Sequence, residues 1–401
     1  MKKILAIFLV ITLAICMSSC KKKAEESVSS ASNFDTPVTL TVWESTNGPD
    51  QFIKQAGAAY TALHPNITIE YVNVELNDAD DRIAIDGPAG IGADIFAASH
   101  DTLGKLVAGG HVLPTVNAEE VKSAVLGACV QAVTYDGTLY GYPISAETYA
   151  LFYNKALIST PPKTWEDVAA FCEGYNNGDK YGFVMDVANA YYTVLFTTSD
   201  GNRIFGADGT DSTAANLNSA ASAKGLTFFA SLRSILDIPA ATLTTRAANE
   251  MFQSGQAAMH ISGPWNVKNF IDAGLDFGVA PLPSLPGDMV PASSFSGTRV
   301  MYVSAYTKHP TLAADFAAFL ISPEMQALRM ELTGALPSID IPSSSPHHGG
   351  FIIQLDYAFP MPSVPTMGDF WGAMGAASAN IWDGADVKAE LEACGAILLG
   401  E

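Results

Sequence analysis

The order of short elements between Val38 and Ala98 constrains the fold most. Val38-Thr39-Leu40-Thr41-Val42-Trp43 is β-branched and alternating, which predicts a strand. Gln51 to Leu63 carries apolar residues at helical spacing and stops before His64-Pro65. Ile67 to Val74 alternates again, and Ala93 to Ala98 is a short apolar run after Gly87-Pro88-Ala89-Gly90-Ile91-Gly92. Strand, helix, strand, loop, strand is the rhythm of an α/β layer with a largely parallel sheet. About 365 residues follow Asn33, too many for one compact core, so two lobes are expected.

Further along, Gly137 to Pro143 reads as a turn into a strand, and Leu151-Phe152-Tyr153-Asn154 as another strand. Thr164 with Asp167 three residues on is a capping pattern before a helix to Phe171. Leu217 to Leu236 reads as a long amphipathic helix closed by Pro239, and Ala247 to Phe252 as a helix leading into the strand Ala257 to Ile261. Leu275 to Val279 and Val300 to Ser304 are expected strands, Thr311 to Leu320 a helix, and Phe370 to Leu398 mostly helical. No fixed-period repeat is present.

At the N-terminus, Lys2 and Lys3 precede an apolar run from Ile4 to Met17. That run is shorter than the roughly 20 residues of a membrane span and reads as a secretory signal. Ser18-Ser19-Cys20 resembles the end of a bacterial lipoprotein signal, in which Cys20 would be acylated; the alternative is an ordinary cleavage near Ser19. Several acyl chains give durable anchoring where one is marginal. Residues 20–33 lack apolar periodicity and are expected to be a flexible tether. Cys129, Cys172 and Cys394 are far apart, without a Cys-x-x-Cys pair, and read as small buried hydrophobes. Acidic residues outnumber basic ones 41 to 21, giving a formal charge of −20. That balance argues against nucleic acid and anionic membranes as partners of the folded body.

Phosphate-loop, zinc-helix and nucleophile-elbow patterns are all missing. Gly90-Ile91-Gly92 lacks the third glycine of a dinucleotide fingerprint and reads as a turn. His347-His348, among Ser, Pro and Gly, reads as a solvated loop rather than a metal site. No catalytic residue, metal or cofactor is expected. Aromatic residues beside turns and acids do stand out. Sugars present C–H faces that flat rings can cover, and hydroxyls from which carboxylates and amides accept. Trp265 in Ser262-Gly263-Pro264-Trp265, Trp371 in Gly368-Asp369-Phe370-Trp371, and Tyr191 beside Tyr192 suit the first role. Asp101 and Glu147, each after an expected strand, suit the second. Each has a plainer alternative: a core plug for a tryptophan, a core position for one of the tyrosines, a helix cap for either acid.

Several blocks in order resemble the maltose/maltodextrin-binding proteins of the family 1 extracellular solute-binding proteins. They are Ala93-Asp94-Ile95-Phe96 with Ser99-His100-Asp101, then Tyr140-Gly141-Tyr142-Pro143-Ile144 through Glu147 to Phe152-Tyr153-Asn154-Lys155, then Pro161-Pro162-Lys163-Thr164-Trp165-Glu166-Asp167. Phe252-Gln253-Ser254-Gly255-Gln256-Ala257-Ala258-Met259, Ile261-Ser262-Gly263-Pro264-Trp265, and Met361 to Met367 with Phe370-Trp371 complete the set. The resemblance runs from about Val38 to Leu398.

It implies an α/β, two-lobed periplasmic-binding-protein-like fold of type II, its lobes joined by strand crossings. The implied organisation is a signal peptide over residues 1–19, a lipidated cysteine and tether over 20–33, lobe 1 over 34–145 plus 300–340, and lobe 2 over 146–299 plus 341–401. It carries sugar contact onto Asp101, Glu147, Tyr191, Trp265 and Trp371, and less directly onto Asn47. The implied protein is a monomeric, membrane-anchored, extracytoplasmic component of an ABC importer. Its partners would be a neutral oligosaccharide and the permease subunits. Ala98 replaces a family tryptophan, Thr102 and Gly375 replace arginines, and Asn189 stands where a sugar-contacting glutamate is common, so the sugar stays open. The same clamp for another neutral solute, a glycoside hydrolase or a surface adhesin are the rival readings.

Overall fold

The structure, a computed structural model, describes residues 34–207, 209–343, 345–364 and 366–400. The expected signal and Cys20 lie outside the described residues. Strand β1 (Val38–Glu44) pairs in parallel with β2 (Ile67–Asn73) along its whole length, and with β3 (Ile95–Ser99) at Val42 and Trp43. The helix Pro49–Leu63 covers this layer, burying Phe52, Ile53, Ala56 and Tyr60. It lies so close that a Cβ on Gly57 would meet Ile69 Cβ at 2.8 Å, which requires glycine there. Strands β4 (Thr134–Tyr135) and β5 (Thr138–Leu139) form a hairpin. Its turn residues Asp136 and Gly137 both have positive φ, the primed turn that matches strand twist.

Only Thr148 and Tyr149 separate β6 (Tyr142–Glu147) from β7 (Ala150–Asn154), yet these strands belong to different sheets. β7 is the centre of a three-stranded antiparallel sheet, between β8 (Met259–Ser262) and β9 (Phe277–Ala280). The long strand β10 (Phe295–Val303) returns to the first sheet. There it runs antiparallel to β3 through Arg299–Val303 and to β6 through Gly297–Met301, while its start meets β11 (Phe359–Pro360) in parallel. The Thr148 hydroxyl donates to Phe295 O at 2.8 Å and lies 2.7 Å from Ser294 Oγ, so the two crossings are tied side by side.

The capping pattern is realised: Thr164 Oγ1 accepts from Asp167 N at 3.1 Å, and Asp167 Oδ2 accepts from Thr164 N at 3.1 Å. Cys129, Cys172 and Cys394 are free and buried. Two expectations need correction. The helix expected over Leu217 to Leu236 runs only Ala220–Ser231, because Ser219 Oγ caps Ser222 N at 3.1 Å and the far end tightens into a 3-10 turn, Leu232–Ser234. His347-His348 is not a solvated loop. The His347 ring stacks on Phe277 at 4.0 Å, and buried His348 lies 2.6 Å from Ser343 Oγ and 3.0 Å from Gly334 O. The polar, Gly-rich surroundings disguised imidazoles that pack against the smaller sheet.

A buried charge cluster ends β1. The Glu44 carboxylate, fully buried, accepts from Arg299 Nε at 3.1 Å and from Arg299 Nη2. Arg299 Nη2 also donates to Ser45 Oγ at 2.6 Å. Arg329 Nη1 sits 3.7 Å from Glu44 Oε2, and its guanidinium lies 5.2 Å from the Phe52 ring centre. Burial alone would raise the Glu44 pKa, but Arg299 and Arg329 together outweigh it and hold the group below the usual range. Glu44→Gln is expected to cost about 3–5 kcal/mol in urea unfolding followed by circular dichroism, because it leaves buried guanidiniums uncompensated. A depressed carboxylate stabilises above its unfolded pKa, and that contribution vanishes as pH falls through the folded value. The difference between wild type and variant should therefore close in acid. A difference that ignores pH would show that Glu44 is not ionised.

Candidate functional site

One wall of the site is built at the end of β3. There the chain turns through the 3-10 segment His100–Thr102. His100 is buried, and its Nδ1 accepts from Thr298 N at 3.2 Å. That bond assigns the proton to Nε2, which donates to Met361 O at 3.2 Å. Burial lowers the His100 pKa although Asp101 opposes the shift, so the ring is a neutral link between β3, β10 and the chain after β11. Thr102 Oγ1 turns back to Ser99 O at 2.7 Å. These contacts fix the turn that carries Asp101. Glu147 ends β6 opposite Gly297 and accepts from Ser145 Oγ at 3.1 Å. A Cβ on Gly297 would lie 3.2 Å from Met361 Cε, 3.7 Å from Glu147 Cβ and 3.8 Å from His100 Cε1, so these groups converge on one spot of the floor.

The facing wall is aromatic. Trp265 opens from the turn after β8, with Pro264 starting the 3-10 segment Pro264–Asn266. Its indole folds back over Gly263, where any Cβ would lie 2.1 Å from Trp265 Cη2. Trp265 is 37% exposed, which excludes the core-plug reading. Tyr191 belongs to the short helix Ala190–Thr193, capped by Asn189 Oδ1 accepting from Tyr191 N at 3.0 Å. Tyr192 is the core residue of the pair, while Tyr191 is half-buried. The Tyr191 ring lies 6.1 Å from Trp265 and 6.1 Å from Phe295, and Phe295 lies 5.9 Å from Trp371. Burial first, and then Glu147, push the Tyr191 phenol well above its ordinary pKa, so it remains a hydrogen-bond donor.

The two walls meet directly. Trp371, on the helix Met367–Trp382, donates from Nε1 to Asp101 Oδ2 at 3.2 Å across 270 positions of sequence. Asp101, Trp371, Tyr191 and Trp265 are thus joined through Phe295, with Glu147 electrostatically close to Tyr191 and His100. Asn47 stands apart: exposed, with φ 62°, it hydrogen-bonds to Thr46 Oγ1 at 3.4 Å. Sequence reasoning missed Phe295 and His100 as parts of the site. His100 had a signal in its block with Asp101, whereas nothing local marks Phe295. Ala98 is fully buried on β3 opposite Val300. Carboxylate acceptors beside a row of rings suit a ligand with apolar faces and many hydroxyls.

Comparison with known proteins agrees. A family model described as bacterial extracellular solute-binding protein matches residues 55–343. A galactooligosaccharide-binding protein of Bacillus subtilis (strain 168) is 29% identical, over 98% of this chain and 95% of that protein. A cyclo/maltodextrin-binding protein complexed with maltotetraose is 32% identical with a TM-score of 0.79, covering 90% of this chain and 97% of the other. The maltotriose binding protein of Thermus thermophilus, bound with maltotriose, is 27% identical with a TM-score of 0.83, covering 90% and 99%. Sheets, crossings and family match together establish that this chain belongs to the bacterial extracellular solute-binding proteins and has their two-lobed α/β fold.

Proposed function

We propose that the protein is the extracytoplasmic carbohydrate-binding component of an ABC importer. It holds a neutral, maltodextrin-like oligosaccharide between its lobes and delivers it to a membrane permease. The observation that carries this reading is the Asp101–Trp371 bond beside the Tyr191, Phe295 and Trp265 rings. A ligand shifts a two-lobed protein toward closure only by touching both lobes, and this cluster offers groups from both. The lobes are assigned to residues 34–145 plus 300–340 and 146–299 plus 341–401, with crossings within residues 142–148, 295–303 and 336–350. Asp101, Glu147, Tyr191, Trp265 and Trp371 are assigned to sugar contact, as is Asn47 in the loop after β1.

The ligands named for the relatives are all neutral oligosaccharides, which supports the class. The lost aromatic at Ala98, and the use of Asn189 as a helix cap, favour a sugar other than maltose itself as a second reading. Carboxylates near rings also describe a glycosidase cleft, but family membership favours binding without cleavage. Cys20 is assigned as the lipid anchor. Among the described residues no helix is long and apolar enough to cross a membrane.

Two outcomes are expected. Trp265→Ala and Trp371→Ala should each weaken oligosaccharide binding by roughly 1–3 kcal/mol in calorimetric titration, with the thermal unfolding midpoint little changed. Unfolding without loss of affinity per folded molecule would return that ring to the core. Cys20→Ser should move the full-length protein from the membrane fraction to the soluble extracytoplasmic fraction. Wild type already found there would refute the anchor.

A further inference from the structure

His100 and Asp101 are consecutive, and each bonds across the groove to the stretch assigned to the second lobe. His100 Nε2 donates to Met361 O at 3.2 Å, and Asp101 Oδ2 accepts from Trp371 Nε1 at 3.2 Å. The other ring nitrogen of His100, Nδ1, accepts from Thr298 N at 3.2 Å, and the ring is buried. Only the neutral imidazole can make both bonds, because a peptide N–H donates and nothing else. A proton on Nδ1 would set two donors against each other. Thr298 N cannot turn aside, since β10 is paired with β6 at Thr298 and with β3 at Arg299. The ring would have to move, and the turn that carries Asp101 would move with it.

The surroundings make this a sensitive point. Asp101 on the same turn and Glu147 at the end of β6 both act on the ring and favour its charged form, while burial, the larger effect, opposes it. No cation intervenes from β10, where the Arg299 guanidinium is taken up by Glu44. Cys129, on the helix Gly127–Ala132 behind Thr298, stays a neutral thiol, burial pushing it up to about 11. The proton is thus kept off by burial alone, which holds only while β3, β10 and Met361 enclose the ring.

We propose that neutral His100 is the positioning residue that holds Asp101 against Trp371 across the groove, and that its protonation in acid loosens the sugar site. The first half concerns the protein without ligand; the second rests on the sugar-binding reading above and adds its regulation. Sugar that favours the enclosed arrangement must expel the proton, so binding releases protons in the window below the ordinary imidazole value of about 6.5.

The test compares the wild type with His100→Asn and His100→Gln, acidified from neutral pH to the onset of acid unfolding. Asn places a carbonyl oxygen where Nδ1 accepts and Gln an amide nitrogen where Nε2 donates, so each keeps one of the two bonds and neither titrates. Thermal unfolding checks that they fold. In sugar-free protein carrying isotope-labelled tryptophan, the indole N–H resonance of Trp371 is identified by its loss in Trp371→Phe. In the wild type it should shift in a step below about pH 6.5, and that step should be missing from both variants. Calorimetric titration with maltotriose and with a galactooligosaccharide, in buffers of different ionisation enthalpy, reads the second half. Across the same step the wild type should release up to about one proton per sugar bound and the variants none. Both variants should bind about ten-fold more weakly at neutral pH, the order of one hydrogen bond to a charged group misplaced. A wild-type Trp371 resonance without the step, a step shared by a folded variant, or folded variants with wild-type affinity overturns the proposal. If neither variant folds, the step must coincide with the titration of a histidine ring in labelled wild type, and a step without one overturns it equally. Wild type that shows the step but binds neither sugar overturns the functional reading and leaves the positioning role of His100 standing.

Discussion

Strand β10 hydrogen-bonds to β3 along one edge, to β6 along the other, and to β11 at its start. Nearly every functional feature depends on that arrangement. Phe295, its first residue, is the ring between Tyr191 and Trp371. Gly297 opens the floor between Glu147 and His100, and Thr298 fixes the His100 tautomer. Arg299 neutralises Glu44 at the end of β1. One strand therefore registers both walls against a shared backbone. Its neighbour crossing is tied to it by Thr148, so rotation between lobes would have to be absorbed in a few bonds on either side.

Local patterns were legible where local physics decides the outcome. The alternation in Val38–Trp43, the capping box at Thr164 and the turn at Gly263-Pro264-Trp265 each follow from near neighbours. The exposed character of Trp265 could be guessed only as one of two alternatives, because a tryptophan after Gly-Pro is as consistent with a plug as with a plate. What stayed hidden was long-range. The Glu44–Arg299 pair spans 255 positions, and its meaning depends on β1 and β10 reaching the same sheet. Asn189 was legible as a departure from the family pattern, but its use as the cap of Tyr191's helix required the backbone. His347 and His348 misled for the opposite reason: a polar, Gly-rich context concealed that Phe277 and Gly334 lie beneath them.

The site also reconciles the acidic balance of the chain with its chemistry. A neutral ligand needs acceptors for its hydroxyls and flat faces for its C–H surfaces, and the walls supply Asp101, Glu147 and four rings. Arg299 is engaged with Glu44 and Ser45, and Arg329 lies against Phe52 and Glu44. They set the position of the strand ends from which the first wall rises.

The central claim is that sugar joins walls belonging to two lobes, and small-angle scattering of residues 34–401 with and without maltotriose tests it most directly. Because a ligand shifts the two-lobed equilibrium only through its extra affinity for the closed shape, saturating sugar should lower the radius of gyration, and Asp101→Ala with Glu147→Ala should blunt that change. Tight calorimetric binding that leaves the scattering curve unaltered would contradict the account.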